Sequence, residues 1–260
     1  MHIPIETIKT EKTTERIALI GAPGSGKTTA CLTFPAPLFY DFDHKLPIGI
    51  QAIPLWDAKW VGSYVKNTFN VPNRRDAFKK HLRENHYKYT EEQTIIIDSW
   101  SLLQNAFDQQ TRPEEDMAAK PNDYNFWTRK AAYAVEIMEM LKACKCRVVV
   151  TFHETIERDA EGDPTGKLRP LMDGKFKDQI LGHFTDVWRQ LHNPFDIDAN
   201  GKYIMESALK RKVKYGFYWQ LIGDTLIDTN TNATLGKIVS AKNISMVPAD
   251  YKEIEKLYAV

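Results

Sequence analysis

Residues 16–30 of the chain run RIALIGAPGSGKTTA. Ile17–Ile20 is a short, partly β-branched apolar run, the kind that forms a buried strand, and Thr28 to Phe34 is able to open a helix. Between them Gly21, Gly26, Lys27 and Thr28 fill the pattern G-x-x-x-x-G-K-[ST]. Small residues in such a loop let backbone N–H groups turn inward, and the following helix dipole favours an anion. Gly21, Ala22, Pro23, Gly24, Ser25, Gly26, Lys27, Thr28 and Thr29 therefore make a phosphate cradle. Lys27 reaches the β- and γ-phosphates, and the Thr28 hydroxyl is placed to ligate Mg²⁺. A plain turn has no use for Lys-Thr at that offset, so the loop is expected to hold a nucleoside triphosphate.

Working outward, three further apolar runs qualify as core strands: Leu38–Tyr40, Thr94–Ile97 and Arg147–Phe152. Each is continuously apolar, as expected when helices cover both faces of a parallel sheet. Helices are expected after the phosphate loop, at Arg74–Asn85, at Ser101–Gln109 and at Tyr124–Lys142, where Ala131, Val135, Met138 and Leu141 form one stripe. The alternation predicts an α/β fold with a mostly parallel, doubly wound sheet. Residues 155–174, TIERDAEGDPTGKLRPLMDG, hold three glycines and two prolines without a period and are expected to be a long mobile loop. Asp186–Leu191, Tyr203–Leu209 and Phe217–Ile222 are expected to add antiparallel strands. Ala249–Tyr258 is expected to close the chain as a short amphipathic helix.

Composition narrows the function classes. Lys and Arg total 35 against 34 Asp and Glu, leaving +1, so any polyanion site must be local. Residues 167–177 provide one: Lys167, Arg169, Lys175 and Lys177 against Asp173. No apolar run approaches the ~20 residues that span a bilayer. The three cysteines, Cys31, Cys144 and Cys146, form no disulfide framework and point to a reducing cytoplasm. The amino-terminal residues lack the layout of a secretion signal.

The remaining acids choose among phosphate-loop chemistries. Asp98 ends the run Thr94–Ile97, where a carboxylate would hold Mg²⁺ opposite Thr28. Asp41 and Asp43 share one face of an extended segment at the end of the second strand, and one of them is placed to polarise an attacking water. A GTPase is disfavoured, because Asp159-x-x-Gly162 and Asp163-x-x-Gly166 follow the wrong strand and no N-K-x-D motif occurs.

These motifs resemble the RecA-like recombinase ATPases over about residues 14–220. Asp41-Phe42-Asp43-His44 resembles the family's acidic-x-acidic-His run, with Asp43 where the catalytic Glu usually stands. Ile95-Ile96-Ile97-Asp98-Ser99 resembles its Mg²⁺-holding strand. His153 stands where a γ-phosphate-sensing Gln is usual, just before a DNA-binding loop that corresponds here to residues 155–174. Lys210-Arg211-Lys212 resembles a two-lysine segment that reaches the ATP of a neighbouring subunit. The start GAPGSGKTT and FPAPLFYDFD is similar to small phage-encoded Sak-type single-strand annealing proteins.

The resemblance implies a single RecA-like ATPase domain over residues 1–260, with a core at about 14–222 and a C-terminal extension at 223–260. It implies Asp43, Lys27, His153, Lys210 and Lys212 as catalytic residues, and Lys167, Arg169, Lys175 and Lys177 as DNA contacts. The implied partners are single-stranded DNA, further copies of the chain with ATP at their interfaces, and other recombination proteins. A small-molecule kinase, with Arg158 or Arg169 clamping phosphate, and a nucleotide-gated scaffold stay open as alternatives.

Overall fold

The apolar runs at 17–20, 95–97 and 148–150 are almost wholly buried, so the strands they form are covered on both faces. A computed structural model describes residues 14–65, 73–116, 122–193, 216–221 and 246–258. In chain order the strands are β1 (Arg16–Gly21), β2 (Pro37–Asp41), β3 (Ala52–Pro54), β4 (Thr94–Asp98), β5 (Arg147–Arg158), β6 (Pro164–Pro170), β7 (Asp186–Asn193), β8 (Gly216–Leu221) and β9 (Met246–Pro248). The helices are α1 (Lys27–Cys31), α2 (Ala58–Val65), α3 (Arg74–Asn85), α4 (Trp100–Asp116), α5 (Asp123–Ala143) and α6 (Tyr251–Tyr258). The sheet order is β3-β2-β4-β5-β1-β7-β8-β9, with β6 paired to β5. Strands β1 to β5 and β7 run parallel, and β8 and β9 add antiparallel to β7.

Alternate residues of each strand serve opposite faces. On one face Ile17, Leu19, Ile96, Val149 and Trp188 meet Ala30, Phe34, Tyr251 and Ile254 of the α1 and α6 side. On the other, Ile20, Ile97, Val150 and Phe152 meet Phe78, Trp100, Phe126 and Ile137 from α3, α4 and α5. Helix α6 is fastened beside α1: the Tyr251 backbone N–H donates to Thr33 Oγ1 at 2.8 Å, and the Arg147 guanidinium lies 4.5 Å from the Tyr251 ring centroid. Among the described residues no helix is long and apolar enough to cross a membrane.

Two expectations are corrected. Much of the loop expected at residues 155–174 is a β-hairpin: β5 continues to Arg158 and pairs antiparallel with β6. Gly162 lies at its turn, and Pro164 and Pro170 lie at the two ends of β6. Asp159 Oδ1 accepts the N–H groups of Glu161 (3.1 Å) and Asp163 (2.8 Å), and Gly162 takes a left-handed φ of 91°. This side-chain-capped turn lets the flanking residues pair, a pattern that glycine content alone conceals. Likewise, the helix expected at Ser101–Gln109 is longer: residues 111–116 also belong to α4, which continues through Pro113. Their acids have protein partners: Arg75 pairs with Glu114 at 3.0 Å, and Arg129 pairs with Glu114 and Glu115. The basic helix α3 is neutralised in the same way, Lys79 bonding Glu136 at 2.5 Å and Arg83 bonding it at 2.6 Å. The strand expected at 203–209 lies outside the described residues.

Candidate functional site

Register brings the site together. Along the carboxyl edge of the sheet, Gly21 of β1 lies opposite His153 of β5, and Asp41 of β2 lies opposite Asp98 of β4. Residues separated by more than a hundred positions thus line one edge, the edge where open α/β sheets bind ligands.

The phosphate loop leaves β1 and enters α1 through two left-handed glycines, Gly24 (φ 76°) and Gly26 (φ 86°). Gly21 meets a different demand. A Cβ there would fall 2.7 Å from the Gln190 carbonyl oxygen and 2.7 Å from Ser25 Oγ, so only a bare α-carbon fits. Lys27 is buried, and its Nζ donates to the carbonyls of Gly21 and Ala22, each at 2.8 Å. Burial lowers its pKa, and the carboxylates of Asp98 and Glu154 work against that shift. Thr29 is exposed on the first turn of α1.

Thr28 Oγ1 donates to Asp98 Oδ2 at 2.6 Å, and Thr151 Oγ1 donates to Asp98 Oδ1 at 2.7 Å. Both oxygens of the carboxylate are thereby oriented. Thr151 was not singled out in the sequence; its only signal is a hydroxyl within the apolar run Val148–Phe152, where it is fully buried. The Thr28–Asp98 contact supplies two oxygen donors at one point, a set that suits Mg²⁺.

The acidic pair divides. Asp41 is buried, and its Oδ1 accepts the backbone N–H groups of Asp43 (3.2 Å) and His44 (3.0 Å), closing the turn after β2. Burial raises its pKa despite those two bonds. His44 sits at a left-handed φ of 59°, its ring stacked on Trp56 at 3.5 Å. Asp43 is half-buried instead and pairs with Lys45 at 2.7 Å. His153 is half-buried with its Nδ1 unpartnered. Burial, then the charge of Lys27, lowers its pKa, and Asp98 and Asp43 are close enough to oppose this.

Next to it, Glu154 starts the hairpin and forms a two-point ion pair with Arg189 of β7, at 2.9 and 3.2 Å. Arg189 lies opposite Ile20, so the pair ties the hairpin base to the strand flanking the phosphate loop. Of the basic residues in 167–177, Lys167 and Arg169 lie on β6, and Arg169 pairs with Glu157 at 2.7 Å. Lys175 and Lys177 lie in a 3₁₀ turn at Lys175–Asp178, with Lys177 exposed. Lys210 and Lys212 lie outside the described residues.

Among solved structures, that of the RadB recombinase aligns at 11% identity, covering 78% of this chain and 86% of that one, with a TM-score of 0.33. No curated protein matches the chain. The AAA domain family matches residues 13–214, the span containing the phosphate loop, Asp98 and His153. By that match the chain belongs to the AAA domain family, whose phosphate loop binds nucleotide.

Proposed function

We propose that the chain is a Mg²⁺-dependent ATPase that binds single-stranded DNA and uses the nucleotide cycle in strand annealing or recombination. The observation that carries the ATPase reading is the Thr28–Asp98–Thr151 constellation beside the phosphate loop. Thr28 and Asp98 would hold Mg²⁺, which supplies charge neutralisation to the β- and γ-phosphates when bound. Among the described residues Lys27 has only carbonyl and hydroxyl oxygens as hydrogen-bond acceptors, and phosphate oxygens compete well for its ammonium. Asp43 is the residue we assign to orienting the attacking water, because Asp41 is committed to its turn. His153, with one ring nitrogen unpartnered and its pKa held low, is suited to meeting the γ-phosphate as a neutral imidazole.

DNA binding is assigned to the segment from β6 through the following 3₁₀ turn, with Lys167, Arg169, Lys175 and Lys177 as its cations. Glu154 and Arg189 join that hairpin to the nucleotide edge. Lys210 and Lys212 act, on this reading, at the ATP of a neighbouring copy, and residues 1–260 work as one ATPase unit. A phage origin, a cytoplasmic location and association with other recombination proteins complete the reading.

Phosphate release measured with and without a single-stranded oligonucleotide is the test. The expected result is Mg²⁺-dependent turnover that DNA accelerates and that Lys27→Ala abolishes. Turnover that needs a small acceptor instead makes the protein a kinase, and nucleotide binding without turnover makes it a scaffold.

A further inference from the structure

A cavity of about 540 Å³ lies between α4, α5 and the turn that follows β6. It adjoins the helices packed on the sheet face opposite α1 and so is separate from the phosphate loop. Its volume falls in the range of small-molecule sites, roughly 300–1,000 Å³. Tyr124, Trp127 and Phe176 contribute aromatic surface, and Ala131 and Ala134 leave the floor open.

Three features mark this cavity as more than a packing defect. Tyr124 and Trp127 are 73% and 42% exposed, a poor disposition for two large rings that serve only the core. Gly174, at a left-handed φ of 78°, turns the backbone against the Trp127 indole, where a Cβ would lie at ordinary contact distance, 3.4 Å from Cε3. The wall also holds one buried charge. Lys130 is 6% exposed, its Nζ 2.9 Å from Asp108 and 3.4 Å from Asp173, and 5.3 Å from the Trp127 ring centroid. An apolar slot with aromatic faces and a fixed ammonium–carboxylate pair offers stacking together with a donor and an acceptor.

The surroundings specify the ligand further. Asp173, Gly174 and Phe176 of the wall belong to residues 167–177, whose sequence carries Lys167, Lys175 and Lys177, besides Arg169 paired with Glu157, against one acid. A phosphate alone has no use for the aromatic slot, and an apolar peptide has no use for the cations. A base joined to a polyanionic backbone uses both. We propose that this cavity receives an unpaired base of single-stranded DNA, with Trp127 as the stacking face and the 167–177 segment holding the adjoining phosphates. The inference rests on the DNA-binding reading above and adds to it a site that engages bases as well as backbone.

The test compares an oligothymidylate with an abasic strand of equal length by fluorescence anisotropy. Stacking of one base is expected to favour the base-bearing strand by roughly tenfold. Ala131→Phe, which fills the cavity, should reduce that preference to near unity while leaving the salt dependence of binding in place. Trp127→Leu, at a partly exposed position that folding tolerates, should do the same if Ala131→Phe fails to fold. Equal affinity of the wild-type chain for both strands overturns the base site alone. Preference retained in a folded cavity variant also overturns it, as does a cavity variant that alters self-association without altering the preference. Binding of neither strand overturns both this site and the DNA-binding reading.

Discussion

Asp43→Asn and Asp41→Ala should have opposite consequences, although the two residues lie two positions apart. Asp41 is buried and accepts two backbone N–H groups; its removal leaves both without that partner beneath the turn. A lost acceptor of this kind costs about 1–3 kcal/mol. Since the two bonds share one oxygen and burial already disfavours the charged carboxyl, a combined loss of about 2–4 kcal/mol is expected. At roughly 2–4 °C per kcal/mol, the melting temperature should fall by about 4–16 °C. Among the described residues the Asp43 carboxylate pairs with Lys45, whose side chain is exposed, a pair worth ~0–1 kcal/mol, so Asp43→Asn should melt close to the wild-type temperature. Its turnover should nevertheless drop by about 10²–10⁴, the usual contribution of a positioned base. Asp41→Asn keeps an acceptor oxygen and should be near wild type in both respects. Thermal scans, affinity for a fluorescent ATP analogue and phosphate release would be measured on all three. A stable Asp41→Asn without turnover, beside an active Asp43→Asn, would refute the assignment.

Gly21→Ala should destabilise the chain by about 1–3 kcal/mol, as overpacking does, and weaken nucleotide binding, because the Gln190 carbonyl that blocks a Cβ is backbone. Unchanged melting and affinity would refute the close β1–β7 approach as the reason for glycine at position 21. Burial holds the imidazoles of His81 and His183 below their ordinary pKa of 6.5. The unfolded chain therefore binds more protons just below that pH, so stability is retained above it and declines as pH falls through the window. Urea midpoints at about pH 7.5 and about pH 5.5 should differ accordingly, and His81→Gln should narrow the difference. If Lys210 and Lys212 act on a neighbour's ATP, a double-alanine chain mixed with Lys27→Ala should recover partial turnover that neither shows alone. No recovery in assemblies shown to contain both chains would return the lysines to a role within their own subunit.

Local spacing carried the phosphate loop, because a glycine run ending in Lys-Thr at a helix start is itself a local geometry. It carried the core strands equally well, since continuous apolar runs between helices have few other places to go. The hairpin within residues 155–174 was hidden because its pairing depends on Asp159 capping a turn, and glycine and proline content registers only that a turn exists. The helix expected to stop at Gln109 runs on because Arg75 and Arg129, from other helices, supply counter-charges to Glu114 and Glu115. Thr151 looked like one polar residue in an apolar strand, and only the placement of β5 beside β4 brings its hydroxyl to Asp98. Asp41 and Asp43 were equivalent as sequence, two acids at i and i+2. The chain turns after β2, directing one carboxylate onto backbone N–H groups and the other to the rim. Residue type and short-range spacing determine which chemistry is possible, whereas strand register and burial decide which of several like residues are brought together to carry it.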